Sequence, residues 1–298
     1  VAAGEVALLV NPAAGRGSAA RVVGAVHTAL AAAGLAVVRV PAGSREQAEE
    51  GARAAVRAGA RAVLTLGGDG TAHAGLQAVA GTGIPLAVLP AGSGNDLAHA
   101  LATPTDPVAA ARAAAADLVA GRTRRLDAVR AGTRWWATVL CCGFDSAVTD
   151  RANRLRWPRG RCRYDVAVLA ELAGLRPRFL VLTLDGVRTE LEVTLVAVGN
   201  TARYGGGMLI CPDADPADGL LDVTVVGPLS RRELVRARPG LTDGTHVQHP
   251  AVQVLRASEV VLAGAGLSTY ADGEPVAALP VTNRCVPGAL TVVGTGRR

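Results

Sequence analysis

Three short runs of glycine and small polar residues carry the most legible chemistry in this chain. They are Asn11-Pro12-Ala-Ala-Gly15-Arg-Gly17-Ser18, Gly67-Gly68-Asp69-Gly70-Thr71 and Pro90-Ala-Gly-Ser93-Gly-Asn95-Asp96. A glycine-rich turn feeding a helix offers free N–H groups to an anion, so the first run suits phosphate. It is not a Walker A loop, because the Lys-Ser/Thr ending is missing. Gly15-x-Gly17-x-x-Ala20 matches the dinucleotide fingerprint, but Arg39 stands where an acidic residue is expected roughly 20 positions on. An NADP-type reading therefore stays open beside the phosphate loop, as does a merely tight βα turn. In the second run the glycines let backbone approach a polyphosphate, and Asp69 can accept a proton or hold a metal. Thr71 is placed to cap the next helix, and the alternative for Asp69 is a plain turn role. The third run sets Ser93, Asn95 and Asp96 at another strand end.

Such loops need strands before them and helices after them. Apolar runs at 6–10, 36–40, 62–66 and 86–89 have strand length, and alanine- and arginine-rich stretches at 18–33, 44–58, 71–80, 95–101 and 107–120 read as helices. Strands alternating with helices predict βαβ units and a Rossmann-like parallel sheet, with ligands beyond the carboxyl ends of its strands. All three loops then converge on one crevice, which is more specific than any loop alone. The pattern changes near 121–125. Strand-like runs follow at 135–140, 179–184, 189–198, 220–226, 252–255 and 259–263, with Asp185-Gly186 as a hairpin signal. Helices are expected at 164–175 and at 230–238, the latter with a Ser230/Glu233 capping box. The fold expected is α/β: an N-terminal parallel-sheet domain over 1–124, then a C-terminal antiparallel, β-sandwich-like domain over 125–282. The segment 283–298 is expected to return to the first domain.

Composition narrows the function classes. Apolar residues are 50% of the 298 and charged residues 19%, which excludes disorder, and the length suits two domains. The eight aromatics all lie at or beyond Trp135, so the two cores are expected to differ. Net charge is +6 with no lysine, which excludes a Schiff-base lysine and favours anionic partners. The all-arginine, alanine-rich bias itself reads first as GC-rich base composition. Five cysteines without a CxxC fit reduced thiols in a cytoplasm. No charged-then-apolar leader opens the chain, and no apolar run reaches the roughly 18 residues of a spanning helix. Val1 in place of Met reads as a trimmed sequence or a GTG start. Arg151, Arg154, Arg156, Arg159, Arg161 and Arg163 surround Trp157, which reads either as an anionic-membrane contact or as a solvated loop. A nucleic-acid patch is not expected, since the aromatics form no stacking platform. His246 and His249 are expected at the surface, and of Trp135 and Trp136 one is expected in the core.

The three loops resemble those of the diacylglycerol kinase catalytic family, which includes bacterial diacylglycerol kinases, sphingosine kinases and ceramide kinases. The resemblance continues through Gly143-Phe-Asp145, the run from Gly205-Gly-Gly to Pro212, Ala214 and Asp218-Gly219, and Asp272-Gly-Glu274, nearly the whole chain. NAD kinases share the Gly-Gly-Asp-Gly loop but are not expected to carry the Gly-Asn-Asp loop or the triple-glycine run. The resemblance implies an ATP-dependent lipid kinase, cytoplasmic and peripherally membrane-associated. ATP would lie between the domains against Asn11, Pro12, Gly15, Gly68, Gly70, Thr71, Ser93 and Asn95. Asp69 would stand beside the transferring phosphate, and Glu274 would take the proton of the lipid hydroxyl with Asp272 in support. A structural Mg²⁺ would use the Asp218 carboxylate with carbonyls of Asp215 and Leu220, and a second Mg²⁺ would travel with ATP. Diacylglycerol is the default acceptor, and another long-chain, sphingoid or prenyl alcohol is the rival. Other classes left open are an NADP-dependent oxidoreductase and a catalytically idle lipid-binding relative. Without lysine, Arg16 and Arg203 are the candidate cations. The partners implied are ATP, a membrane lipid, an anionic membrane surface met by 151–163 and a second copy in a homodimer. Two departures stand out. Leu97-Ala98-His99 replaces the Phe-Ala-Arg of many relatives, which removes an expected arginine contact, and Cys141-Cys142 stand where small residues are usual.

Overall fold

The computed structural model describes residues 2, 4–155, 157 and 161–294. The first part alternates strand and helix: β1 (Val6–Val10), α1 (Ala14–Ala32), β2 (Val37–Pro41), α2 (Arg45–Arg57), β3 (Ala62–Gly67), α3 (Asp69–Val79), β4 (Leu86–Pro90), α4 (Asp96–Ala100) and α5 (Pro107–Val119). β1 to β4 pair in parallel in the order β2-β1-β3-β4. One face carries Ala7, Leu9, Val63 and Val88 against α2 and α3, and the other carries Val6, Leu8, Leu64 and Leu89 against α1 and α5. That alternation is the period of a two-sided strand, and helices on both faces are what a parallel sheet requires.

The rest of the chain is mainly antiparallel. After β5 (Thr123–Ala131), β6 (Arg134–Trp136) and β7 (Val139–Gly143) come two helices, α6 (Phe144–Arg154) and α7 (Arg161–Ala173). Then follow β8 (Arg178–Leu184), β9 (Val187–Val193), β10 (Leu195–Gly199), β11 (Arg203–Tyr204), β12 (Met208–Leu209) and β13 (Leu221–Val226), then α8 (Arg231–Ala237). The last strands are β14 (Val252–Ala257), β15 (Glu259–Ala263), β16 (Ser268–Ala271), β17 (Glu274–Ala278) and β18 (Val281–Val293). A six-stranded sheet in the order β14-β13-β10-β7-β16-β17 faces β8, β15 and the front of β18, and Trp136, Leu140, Leu180, Val196 and Val260 fill the space between. Trp136 is fully buried and donates its indole N–H to Asn283 Oδ1 at 3.1 Å, which lets so large an amphipathic ring sit in a core. β18 joins the two parts. It pairs with β15 and β5 in antiparallel fashion and meets β4 in parallel at Val292 and Leu86.

The α/β class is therefore as the sequence implied, a parallel sheet with helices on both faces and an antiparallel, sandwich-like partner. Several local expectations change. The run 189–198 is two strands in two different sheets, divided at Thr194, whose carbonyl accepts Phe144 N–H and whose hydroxyl accepts Leu229 N–H. The run 135–140 divides at Ala137 and Thr138. Helix α3 starts at Asp69 with Gly68 at its N-cap, so Thr71 is a buried residue of the first turn and not the cap. The returning strand starts at Val281. His246 is buried, its Nδ1 against Gly240 O and its Nε2 against Ile210 O, because the polar turn around it folds back onto the residues that follow β12.

Candidate functional site

Each glycine loop ends a parallel strand, and hydrogen bonds lock the loops to one another. Gly15, Arg16 and Gly17 take left-handed conformations (φ 58°, 56° and 85°) before the helical body that begins near Ser18. Asn11 Oδ1 accepts Ala13 N–H at 3.0 Å to form the turn, and Ser18 Oγ donates to Ala91 O at 3.1 Å, tying loop one to loop three. Loops two and three cross so closely that a Cβ on Gly92 would stand 2.5 Å from Gly68 Cα. Asn95 has φ 61°, and its side chain is taken up by the backbone of Gly92, accepting the N–H at 3.0 Å and donating to the carbonyl at 2.9 Å. Pro12 and Ser93 are exposed on the same rim.

Asp69, in the first turn of α3, accepts Asn95 N–H at 2.9 Å and Asp96 N–H at 2.7 Å. Asp96 in turn accepts Gly205 N–H at 2.7 Å and Gly206 N–H at 2.8 Å. Consecutive amides with positive φ make an anion-binding concavity, so Asp96 clasps the triple-glycine turn of the second part to the glycine loops of the first. Burial, then the Asp96 charge, pushes the Asp69 carboxyl up to about 6, with Asp272 adding to the same effect. Burial also raises Asp96. The Asp272 charge adds to the rise of both, and a place where carboxylate charge accumulates in this way favours a cation.

The Asp272-Gly273 turn joins β16 to β17 and delivers Glu274 to the same place. Glu274 Oε1 lies against Gly70, where a Cβ would stand 2.8 Å from it, so a side chain there would displace the carboxylate. Glu274 is ion-paired with Arg45, the first residue of α2. Asp272 is buried and accepts Ala137 N–H at 3.2 Å, Thr138 N–H at 3.0 Å, Thr138 Oγ–H at 2.5 Å and His73 Nδ1–H at 3.1 Å. Burial alone would push its carboxyl up, but the His73 and Thr138 hydrogen bonds hold it below the ordinary value. The fold thus gathers Asp69, Asp96, Asp272 and Glu274 where the three loops meet.

The loop 215–220 is anchored elsewhere. Asp127 of β5 donates its N–H to Pro216 O at 2.7 Å and its carboxylate accepts Gly219 N–H and Gly288 N–H, each at 2.7 Å. Asp218 accepts Leu220 N–H at 3.0 Å and pairs with Arg256, and Asp215 accepts Ala217 N–H at 3.0 Å. Nearby Asp222 Oδ2 is buried without a hydrogen-bond donor, with Arg256 Nε at 3.4 Å, and burial raises its carboxyl. Among the described residues no three His, Cys, Asp or Glu side chains cluster as a metal site. An oxygen-only set with an orphaned carboxylate oxygen fits a hard cation held largely by carbonyls.

Sequence reasoning missed Arg45, Glu49, His73 and Arg134, which stand directly behind the turn. Arg45 had a signal, since a cation in the first turn of a helix opposes the macrodipole unless something else pairs with it. Of the expected cations, Arg16 is exposed and Arg203 donates to Gly207 O at 2.8 Å. Arg39 lies exposed on β2. In the arginine segment, Arg151 pairs with Glu171 at 2.5 Å, Arg163 lies over the Tyr164 ring at 5.6 Å and Trp157 is 81% exposed. Arg156 and Arg159 lie outside the described residues, as does the Arg161 side chain.

Comparison with known proteins bears on the family and the fold. Residues 5–131 match the diacylglycerol kinase catalytic domain, and residues 138–294 match the YegS C-terminal NAD kinase beta sandwich-like domain. A diacylglycerol kinase of Mycobacterium tuberculosis is 43% identical over 97% of this chain and 95% of that protein. A "Probable lipid kinase YegS-like" of Stenotrophomonas maltophilia is 31% identical over 76% of each. In three dimensions the chain superposes on a crystal structure of a diacylglycerol kinase from Bacillus anthracis with a TM-score of 0.73 at 19% identity, covering 97% of this chain and 96% of that one. The oxidoreductase alternative built on Gly15–Ala20 and Arg39 therefore falls. With glycine loops, clustered carboxylates and a matching relative along its length, the chain belongs to the diacylglycerol kinase family of lipid kinases and is a kinase with an alcohol group as acceptor.

Proposed function

We propose that this chain transfers the γ-phosphate of ATP to the hydroxyl of diacylglycerol, giving phosphatidic acid and ADP. The observation that carries the reading is the meeting of Asp69 and Glu274 across Gly70, at the point where three phosphate-type loops converge. Phosphoryl transfer needs positioning, charge neutralisation and an acceptor for the attacking proton, with little covalent work by the protein. The lipid oxygen forms a bond to the γ-phosphorus as the bond to the bridging β,γ-oxygen breaks. Glu274 takes the hydroxyl proton, and ADP leaves. Asn11, Gly15, Gly68, Gly70, Thr71 and Ser93 supply backbone and small side chains around the phosphates, Pro12 shapes the first loop and Asn95 the third. Asp69 stands beside the transferring group, with Asp272 holding the turn that carries Glu274.

Mg²⁺ would travel with ATP to the Asp69 region and neutralise phosphate charge there. A structural ion would use Asp218 with carbonyls of Asp215 and Leu220, sharing Asp218 with Arg256. We read 1–124 with the returning strand as the ATP-binding part and 125–282 as the lipid part. Among the described residues no helix is long and apolar enough to cross a membrane. Trp157 and the arginines of 151–163 would meet an anionic bilayer. Arg231, Arg232 and Arg236 beside Leu169, Leu172 and Val235 rim a groove of about 470 Å³ that suits the same surface.

Lipid-dependent transfer of labelled γ-phosphate, lost in folded Asp69→Ala and Glu274→Gln variants, tests the reading. Lipid binding without turnover under Mg²⁺-ATP would overturn it in favour of an idle relative. A mass-spectrometric screen of phosphorylated lipids separates diacylglycerol from sphingoid and prenyl alcohols.

A further inference from the structure

Helix α2 reaches the Asp272–Glu274 turn by two routes one helical turn apart. Arg45 pairs directly with Glu274. Glu49, only 6% exposed, accepts Arg134 Nη1–H through Oε2 at 2.9 Å and is ion-paired with Nη2 through Oε1 at 2.8 Å, while Arg53 Nη2 also donates to Oε2 at 2.9 Å. Arg134 Nη2 reaches His73 Nε2 at 3.1 Å, and His73 Nδ1 reaches Asp272 Oδ2 at 3.1 Å. The imidazole is 3% exposed, and Gln77 Nε2 lies 3.2 Å from the same Nε2. Gln77 is itself fixed by Trp135, whose N–H it accepts at 3.0 Å and whose carbonyl it meets at 2.5 Å. The path from Glu274 through Arg45, α2, Glu49, Arg134, His73 and Asp272 back to Glu274 is a closed ring.

The chemistry of its members allows one arrangement. An ionised carboxylate only accepts, so His73 Nδ1 carries the proton toward Asp272. A guanidinium only donates, so His73 Nε2 presents its lone pair to Arg134. The tautomer is thereby set from both sides, and each link restrains the next.

We propose that His73, Arg134 and Glu49 are positioning residues for the phosphotransfer: through Asp272 they fix the turn that presents Glu274, while Arg45 fixes its side chain. This rests on Glu274 being the proton acceptor. Misplacement of a reacting group by about 1 Å costs on the order of a hundredfold in rate, so the ring acts on kcat and leaves nucleotide binding unchanged.

Steady-state kinetics with ATP and dioleoylglycerol in mixed micelles, together with ¹⁵N-histidine NMR of the full chain, tests the ring. His73→Ala and Arg134→Ala are expected to lower kcat about tenfold to a hundredfold with KM for ATP within about twofold. His73→Asn, whose amide nitrogen falls near the Nδ1 position, is expected to recover most of the loss. The NMR spectrum is expected to show His73 as a single Nδ1–H tautomer that Arg134→Ala disperses. Wild-type kcat in His73→Ala beside a dead Glu274→Gln overturns the ring and leaves the proton acceptor standing. An active Glu274→Gln retires the acceptor and the ring with it. A mixed tautomer in the wild type overturns the ring whatever the kinetics.

Discussion

Asp185-Gly186 and Asp272-Gly273 are the same dipeptide in the same backbone, with φ of 45° and 88° in the first and 53° and 77° in the second. Each closes a two-residue hairpin, Leu184 opposite Val187 and Ala271 opposite Glu274. Two left-handed residues in succession are what such a turn demands, and Asp-Gly supplies them. The surroundings differ. Asp185 is exposed and accepts Ser258 Oγ–H and Glu259 N–H, each at 2.8 Å, from the neighbouring strand. Asp272 is buried between the two parts of the chain and accepts from β6–β7 and from α3. Both carboxyls lie below the ordinary value, Asp185 because Ser258 and Glu259 donate to it and Asp272 because its donors outweigh burial. Turn chemistry makes the loop, and what the carboxylate faces decides whether the loop is a corner or part of a site.

Removing both carboxylates in turn tests that contrast most strongly. Asp272→Ala strands four donors and places alanine at a left-handed φ. Transfer is expected to fall by at least about a hundredfold and stability by about 2–5 kcal/mol, measured by kinetics and urea unfolding. Asp185→Ala is expected to keep kcat and lose about 1 kcal/mol. An inactive Asp185→Ala would break the comparison.

Asn-Gly also supports the turn, so Asp272→Asn isolates charge from shape. Its kcat is expected to fall about tenfold, because an amide offers a donor where His73 or Thr138 already donates. The acid limb of kcat/KM is expected near pH 6, where Asp69 takes up its proton, raised there by burial first and Asp96 next. Since the Asp272 charge adds to that shift, Asp272→Asn should move the limb to lower pH, and a fixed limb would sever the link between the turn and Asp69.

Acid stability separates the turns more finely. A carboxyl held below its unfolded value of 3.8 adds stability that is present above that pH and lost as pH falls through the folded value. Asp272→Asn should therefore flatten the stability profile below about pH 5 more than Asp185→Asn does. The smallest effect expected is that of Asp185→Asn at neutral pH, within about 0.5 kcal/mol and without change in kcat.

The phosphate-type loops were legible because glycine is the residue that close backbone crossing and left-handed turns select, as at Gly92 and Gly15. The alternating front half was legible for the same local reasons. The breaks at Ala137-Thr138 and Thr194 were not, because the groups that interrupt those strands come from far along the chain. Asp272, which takes the Ala137 and Thr138 amides, is more than a hundred residues away. Helix α6 was not anticipated, and only its last turn overlaps the arginine-rich segment that was read for its charge. The ring behind Glu274 was hidden too, although Asp69, His73 and Gln77 recur every four residues on one face of α3. Period shows which residues share a face, not which carboxylate that face will meet.

Strand β18 carries one further consequence, for the order of folding during synthesis. It lies between β4 and β15 in the middle of the ten-stranded sheet, yet it is made after every other described strand. Until it emerges, β4 has no neighbour on that side and β5 lacks its long antiparallel partner. Contacts of such sequence separation form slowly and leave strand edges open to other chains in the interval. A nascent chain ending near residue 131 would hold all three glycine loops and still be unable to close the sheet that supports them.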